Sequence, residues 1–432
     1  MTVPLADSPT LSDALGEDSL CWVLRDEGMV GFGQLTEFLV RGPGRFAEAQ
    51  NWWATLTAEA LVENRVNLHG TGLVAFGSFT FSKFSRRDSR LIVPRLVLGI
   101  RDGVAWLTLN SFEEELSERY AHAELAAYLA AAERSGAARR TAPEPTDFTL
   151  STGALSEAEW MSVVAAGVQA INAPSGRSTP MQEPVQKVVL ARDIVARSSQ
   201  PINRAVVLSR LIDSYRECWT YGVGDFVGAT PEMLVEIQSG VARARVLAGT
   251  VDRAGAPEEQ DYARRMLMDS EKQREEHDFA VKSLVRELAP FAADLSVPIK
   301  PFVLELPNVW HLASDVSAEL ARNGSHLPNT LALLEALHPT AAVCGTPRTE
   351  AGALIRELEQ LERGPYAGPV GWLDAEGNGE WGIGLRGAVL ETENTARLYA
   401  GCGIVGASDP ETELAETWAK FRPMLQALGE RD

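Results

Sequence analysis

Four separated segments of the chain carry side chains that could take part in acid–base or metal chemistry. They span residues 186–192, 228–234, 271–278 and 410–420, with the sequences QKVVLAR, GATPEML, EKQREEHD and PETELAETWAK. Together they supply one lysine, one isolated glutamate in a tight turn and two helices that bear carboxylates. Taken singly, each has an ordinary explanation, because solvent-facing lysines and salt-bridged surface glutamates are common.

Strands and helices must position these side chains, and the hydrophobic pattern predicts both. Ser156 with Glu159 three residues later forms a capping box ahead of a predicted helix at 160–171. A strand is predicted at 187–192, and further strands and helices are predicted at 205–215 (helix), 261–288 (helix), 370–373, 381–390 and 396–400 (strands) and 411–428 (helix). Strands and helices in this irregular order predict an α+β fold with much sheet.

The chain divides by composition near residue 150. The stretch from Ala132 to Thr152 contains Pro143 and Pro145 among small and charged residues, and it is typical of a connector. We therefore assign residues 1–150 to an N-terminal α+β part and residues 151–432 to the catalytic region, within one compact unit. All four chemical segments fall in the second part.

Composition excludes several classes of partner. The net charge of −19 makes nucleic acid or an anionic membrane surface an unfavourable partner, so an anionic substrate must be captured by local cations or a metal. The four cysteines are scattered without a C-x-x-C pair, which predicts reduced thiols and a cytoplasmic location. The acidic N-terminus does not resemble a signal peptide, and no apolar run reaches the length of a membrane span.

The run Gly401–Gly406 fits the G-x-G-x-x-G pattern of dinucleotide-binding folds. That pattern opens a βαβ unit and is followed by further strands, whereas 26 residues remain after Gly406. We therefore reject a dinucleotide site. We expect instead a glycine-rich turn whose backbone N–H groups approach an anion closely.

In their order and spacing the segments resemble the chorismate-utilising enzymes, a family that includes isochorismate synthases, salicylate synthases and the synthase subunits for anthranilate and aminodeoxychorismate. The resemblance covers about residues 150–430 and also includes HPTAAVCGTP at 338–347 and YAGPVGW at 366–372. It implies two large, mostly antiparallel sheets packed face to face, with flanking helices and an active-site cleft between the layers.

The resemblance assigns the acid and the base. Lys187 is the general base that takes a proton from the attacking water, which requires a neutral amine and therefore a pKa below the usual ~10.4. Glu232 is the general acid that protonates the departing hydroxyl. A carboxyl that acts in this way near neutrality needs a raised pKa, which an apolar enclosure supplies.

The resemblance also implies a Mg²⁺ cofactor that holds the ring carboxylate of chorismate. Glu276 and Glu416 are the predicted ligands, and Glu413, one helical turn before Glu416, supports them. Oxygen ligands without a Cys or His cluster favour such a hard cation. Relatives often place another carboxylate three residues before the first ligand, but this chain has Gln273 there. That departure puts the outer metal shell in doubt.

The remaining predicted contacts bind the anionic substrate. Arg386 is expected to bind the side-chain carboxylate in a bidentate manner, and Lys420 is expected beside the metal-bound carboxylate. The other predicted contacts are backbone groups at Gly249, Thr250, Gly401 and Gly403, with His338 and Ala342 next to the ring.

Within the family the residues favour an isochorismate synthase that serves menaquinone or siderophore synthesis. Relatives that add ammonia or eliminate pyruvate tend to have threonine where this chain has Ala342, and the lysine of KVVLAR favours water as nucleophile. A salicylate synthase and a non-catalytic chorismate-binding sensor are the alternatives. We expect no glutaminase partner, and a monomer or weak homodimer.

Overall fold

The computed structural model describes residues 1–112, 116–141, 148–173, 183–252, 257–305, 309–322, 324 and 327–430. The strands within these ranges are β1 Thr2–Leu5, β2 Leu20–Leu24, β3 Glu27–Val40, β4 Val74–Ser78, β5 Ser89–Arg101, β6 Val104–Leu109, β7 Phe148–Thr152, β8 Lys187–Ser198, β9 Trp219–Val223, β10 Phe226–Thr230, β11 Met233–Gln238, β12 Val241–Asp252, β13 Ala292–Ser296, β14 Phe302–Glu305, β15 Val309–Leu320, β16 Gly345–Thr346, β17 Pro369–Asp374, β18 Gly379–Ile383, β19 Gly387–Thr392 and β20 Thr395–Ile404. The helices are α1 Arg45–Ala58, α2 Glu118–Thr141, α3 Glu157–Asn172, α4 Arg204–Ser214, α5 Pro257–Asp269, α6 Glu271–Leu288, α7 Thr330–Leu337, α8 Arg348–Leu358 and α9 Pro410–Leu428.

The strands form one hydrogen-bonded network that divides at β5. On one side, the first arm runs β3, β2, β9, β10, β19, β20, β8 and β7. On the other, the second arm runs β4, β17, β18, β11, β12 and β15. Every ladder between the described strands named here is antiparallel, which confirms the predicted α+β class with its mostly antiparallel sheet.

Strands from before and after residue 150 are neighbours in both arms. In the first arm β2 pairs with β9, and in the second arm β4 pairs with β17. Helix α2 continues to Thr141, so the first half of the stretch predicted as a connector is helical. Residues 142–147, which include both of its prolines, lie outside the described part of the chain.

The local signals around two helices explain where they begin. Ser156 accepts a hydrogen bond from the backbone N–H of Glu159, whose side chain accepts one from the backbone N–H of Ser156, so the predicted capping box is confirmed. The single helix predicted at 261–288 is wrong in one respect. It is interrupted at Ser270, whose side chain caps α6 by accepting a hydrogen bond from Gln273 N.

The sheet and helices bury two large apolar clusters, whose fully buried members include Trp22, Trp106, Trp372 and Trp381. All four cysteines are buried and unbridged, in agreement with the prediction of reduced thiols. Among the described helices, none is long and apolar enough to cross a membrane.

Candidate active site

A cavity of about 470 Å³ lies between the two arms of the sheet. Its walls come from β8 and β20 of the first arm, from β12 and β15 of the second, and from helices α6 and α9. Nine of the residues predicted from the sequence line it: Lys187, Glu232, Ala342, Arg386, Gly401, Gly403, Glu413, Glu416 and Lys420. Gln273, from the segment 271–278, lines it as well, so the structure brings all four segments to one place although they span more than 200 residues of sequence.

Lys187 is the first residue of β8, at the edge of the cavity, and its backbone pairs with Thr346. Its aliphatic stem crosses directly over Gly403 of the neighbouring strand. A Cβ atom at residue 403 would lie 2.6 Å from Cε of Lys187, so any other residue there would displace the end of the lysine side chain from its present position. Glycine at this position thus leaves room for the lysine to reach the cavity.

Gly401 and Gly403 therefore act within a strand, which corrects the expectation of a glycine-rich turn. Both lie in β20 and pair with Ala191 and Val189 of β8. Since all ladders of the described strands are antiparallel, the βαβ unit of a dinucleotide fold has no place here. The cavity contacts at these two positions come from a flat strand surface without side chains.

Glu232 lies where the chain crosses from one arm to the other, between the end of β10 and the start of β11. Pro231 precedes it, and its backbone carbonyl accepts a hydrogen bond from Ile383 N at 2.9 Å. The residue is 8% exposed. Burial raises the pKa of Glu232 from its ordinary 4.5 to about 7, against the opposing charges of Lys187, Lys420 and Arg386.

Arg386 lies on the returning crossover, between β18 of the second arm and β19 of the first. Its backbone adopts a left-handed conformation with φ of 50°, and its carbonyl accepts a hydrogen bond from Ala229 N. The guanidinium faces the cavity and has no hydrogen-bond or ion-pair partner within the described residues. It is thus available to bind a carboxylate.

Helix α9 brings Glu413, Glu416 and Lys420 to the cavity. Nζ of Lys420 donates to Glu416 Oε1 at 2.5 Å and to the carbonyl of Gly401 at 2.8 Å, which fastens the helix to β20. Desolvation acts to raise the pKa of Glu416, but Lys420, with Arg386 and His311, lowers it below the ordinary value. Glu416 is therefore held as a carboxylate, the form in which a cation would be bound.

Three side chains that line the cavity carry oxygen atoms able to bind a cation. Gln273 on α6 lines it together with Glu413 and Glu416, and Oε1 of Gln273 is buried without a hydrogen-bond partner in the described part of the chain. An orphaned amide oxygen in a cavity that also holds two carboxylates fits a hard cation. The described side chains contain no group of three His, Cys, Asp or Glu that could by itself hold a metal ion. The side chain of Glu276, one turn after Gln273, lies outside the described residues.

Three further predicted contacts are not among the described residues that line the cavity. Gly249 and Thr250 lie in β12, where Thr250 pairs with His311, but their side-chain surroundings lie outside the described residues. His338 does not line this cavity. Its Nε2 donates to the carbonyl of Phe81 at 2.9 Å, and its ring packs edge-on against Phe46 and Phe81. The structure thus places His338 behind the cavity wall.

Other residues of the cavity were not assigned a role from the sequence. Tyr366 and Tyr399 both line it and stack on each other with ring centroids 5.2 Å apart. Tyr366 is the first residue of the YAGPVGW segment. The family resemblance therefore included this residue but gave it no role. Arg363 is buried in the wall with Glu359, and the i,i+4 spacing of this pair was a local signal in the sequence.

Residues 15–429 match the family described as chorismate binding enzyme. The chain belongs to this family. A salicylate biosynthesis isochorismate synthase from Pseudomonas aeruginosa is 33% identical over 424 residues, which cover 95% of this chain and 84% of that protein. The isochorismate synthase MenF of Bacillus subtilis is 30% identical over 426 residues, with 93% and 85% covered.

The fold of this chorismate-binding enzyme is also that of a solved relative. The structure of MenF from Escherichia coli, the menaquinone-specific isochorismate synthase, matches with a TM-score of 0.75 and 25% sequence identity. The match covers 99% of this chain and 94% of that one. The resemblance that was predicted from the sequence motifs is therefore confirmed, for the family and for the fold.

The raised pKa of Glu232 makes the stability of this chorismate-binding enzyme depend on pH. The unfolded carboxyl ionises near 4.5 and the folded one near 7, so the stability present below pH 4.5 is lost as the pH rises through 7. Glu232→Gln has no charge to bury. The difference in unfolding free energy between this variant and wild type should therefore rise, in favour of the variant, by on the order of 2 kcal/mol from pH 5 to pH 8.

Urea denaturation at the two pH values measures this difference. The matched control is Glu430→Gln, because Glu430 is an exposed carboxylate next to the C-terminus of α9. The control should follow wild type at both pH values. An equal stability difference for Glu232→Gln at pH 5 and pH 8 would show that the carboxyl ionises normally in the folded protein.

Proposed function

We propose that this chain is an isochorismate synthase, which adds water at C2 of chorismate and releases the hydroxyl of C4. The observation that carries the proposal is that Lys187 and Glu232 line one cavity between the two arms of the sheet. A base and an acid at one ring are what the reaction requires, because one water must lose a proton and one hydroxide must gain one. The named relatives from Pseudomonas aeruginosa and Bacillus subtilis support the assignment.

In the proposed mechanism Lys187 removes the proton from the attacking water. The amine reaches the cavity over Gly403, and Val188 and Leu190, which follow it in β8, are fully buried. Glu232 supplies the proton for the departing hydroxide. A pKa of about 7 leaves a substantial protonated fraction at neutral pH, which an ordinary glutamate would not have. In the reverse direction the two residues exchange roles.

The two carboxylates of chorismate require positive charge, which this acidic protein supplies locally. We propose that the unpaired guanidinium of Arg386 binds the side-chain carboxylate. Lys420 stands on the same side as Glu416 and contributes positive charge near the ring carboxylate. Tyr366 and Tyr399 form a stacked aromatic wall against which the ring can lie.

We further propose that the enzyme uses Mg²⁺. Glu416 and Glu413 on α9 would hold it, together with Glu276 on α6 and an oxygen of Gln273. When bound, the cation neutralises the ring carboxylate and fixes its position. The negative charge of Glu416, held by its contacts with Lys420, suits this role.

Ala342 lines the cavity where ammonia-adding and pyruvate-eliminating relatives tend to have threonine. Its methyl group offers no hydrogen-bond donor or acceptor beside the ring, which supports an enzyme that stops after adding water. We propose that the product enters menaquinone or siderophore synthesis, since the isochorismate synthase MenF of Escherichia coli is named menaquinone-specific and that of Vibrio cholerae vibriobactin-specific. With water as the nucleophile, the proposal needs no glutaminase partner.

An end-point assay tests the assignment directly. Purified protein with Mg²⁺ and chorismate should give isochorismate at equilibrium with chorismate, identified after chromatographic separation. Salicylate fluorescence and free pyruvate should stay at background. Accumulation of salicylate with equimolar pyruvate would indicate a salicylate synthase, and unchanged chorismate that nevertheless binds would indicate a sensor.

Lys187→Ala should reduce kcat by about 10²-fold or more, because positioned general bases contribute 10²–10⁴-fold. Chorismate affinity, measured by calorimetry, should change little, since Arg386 and the carboxylate side of the cavity are untouched. Lys300→Ala removes an exposed lysine outside the cavity and serves as the control. Undiminished turnover in Lys187→Ala would refute the assignment of the base.

Glu416→Gln should weaken Mg²⁺ binding by about tenfold or more, because it removes one negative ligand from a hard-cation site. Titration calorimetry with Mg²⁺ alone measures this without turnover. Glu411→Gln, an exposed residue on the same helix that does not line the cavity, is the matched control. If both variants bind Mg²⁺ as wild type does, the cation is held elsewhere.

A further inference from the structure

A second, larger cleft of about 790 Å³ lies behind the catalytic cavity. We call it the outer cleft. The segment 338–344 separates the two spaces: His338 and Cys344 line the outer cleft, whereas Ala342 and Val343 line the catalytic cavity. Arg363 lines both. An occupant of the outer cleft would therefore touch the back of the catalytic wall.

Two cations at the mouth of the outer cleft face the same aromatic ring. Lys83 Nζ lies 5.4 Å and the Arg356 guanidinium 5.3 Å from the ring centroid of Phe84, which is 61% exposed. Neither cation has an ion-pair partner within the residues that the structure describes. Arg356 also stabilises the last turn of α8, but Lys83 lies on a loop and has no such helix to stabilise.

The carboxylates of the outer cleft do not neutralise these two cations. Glu359 is committed to Arg363, with two hydrogen bonds of 2.8 and 2.7 Å. Glu362 accepts from Ser85 Oγ at 3.0 Å. Glu335 adds a third carboxylate, against five basic residues in the lining. In a chain of net charge −19, this excess of positive charge in one cleft favours an anionic occupant.

The floor of the outer cleft holds two buried polar atoms that lack partners among the described residues. The ring of His338 donates through Nε2 to the carbonyl of Phe81, so its Nδ1 is an acceptor without a donor. Nε of Arg45 is a donor without an acceptor. The two residues are 6% and 5% exposed, and unmatched groups of this kind are costly in a folded protein.

We propose that the outer cleft is a binding site for a monocyclic aromatic carboxylate. The carboxylate lies between Lys83 and Arg356, and the ring packs on Phe84. Its occupation is transmitted through Arg363, which donates hydrogen bonds to the carbonyls of Val189 and Val343 in the catalytic wall. Binding in the outer cleft does not depend on the proposed function. An effect of binding on turnover does rest on that function.

Binding is tested with 4-fluorobenzoate, followed by ¹⁹F NMR during titration of the full-length protein. Wild type should bind saturably, and the uncharged 4-fluorobenzamide should not compete. The double variant Lys83→Glu/Arg356→Glu should bind at least about tenfold more weakly, since two favourable charges become repulsive. Both residues are exposed, so the variant should fold normally.

The matched control is Arg119→Glu/Lys300→Glu, which makes the same charge change at exposed positions outside the outer cleft. It should bind 4-fluorobenzoate as wild type does. Arg386→Ala tests whether 4-fluorobenzoate binds in the catalytic cavity instead, because a carboxylate bound there would lose affinity in that variant. Unchanged affinity in Lys83→Glu/Arg356→Glu, affinity lost in Arg386→Ala, or equal competition by inorganic phosphate would each overturn the proposal.

The coupling is read from the dependence of chorismate turnover on benzoate. Benzoate should change KM for chorismate in wild type and in the Arg119→Glu/Lys300→Glu control, but not in Lys83→Glu/Arg356→Glu. If benzoate binds in the outer cleft and KM is unaffected, the site stands without a link to catalysis. If the protein does not convert chorismate at all, the proposed function fails while the NMR result still decides the binding site.

Discussion

The buried ion pair of Glu359 and Arg363 holds together the pieces that enclose the catalytic cavity. Arg363 donates to the carbonyls of Val189 and Val343, and Glu359 accepts from the backbone N–H of Ala191. The pair thus joins β8, whose first residue is the proposed base, to the segment that separates the cavity from the outer cleft. Removing one partner would leave an uncompensated buried charge, which costs about 3–5 kcal/mol. The distance between these two walls is therefore strongly constrained.

The two crossovers between the arms place the acid and the unpaired guanidinium on the same side of the fold. Glu232 lies where the chain leaves the first arm and Arg386 where it returns, and each crossover is fixed by a backbone hydrogen bond to a neighbouring strand. The charges around this site act together on the pKa of Glu232. Burial raises the pKa of Glu232, and the cations that oppose this rise are those proposed to face the substrate. A bound dicarboxylate would neutralise them, which would raise the pKa of Glu232 further and favour the protonated form that donates.

Much of this site could be predicted from the sequence, because its residues lie in short segments with recognisable spacing. Lys187 and Glu232 were located through the family resemblance of these segments, and both line the cavity, while the capping box at Ser156 predicted where α3 begins. Residues whose role depends on partners far away in the sequence could not be found from such local spacing. The sequence shows that Glu359 and Arg363 are one helical turn apart, but not that they bind to β8. It marks His338, yet the hydrogen bond to the carbonyl of Phe81, 257 residues away, places the ring outside the cavity.

Gln273 shows how repulsion between carboxylates limits the number of negative charges that the catalytic cavity can hold. Its amide oxygen faces a wall that already carries Glu413 and Glu416, and a carboxylate in its place would add a further negative charge to a partly desolvated cluster. Like charges in such surroundings raise one another's pKa values, and the most desolvated carboxyl would be the first to take up a proton. A neutral amide offers an oxygen without that repulsion. With Gln273 at this position no further negative charge opposes the ionisation of Glu416, which Lys420 favours.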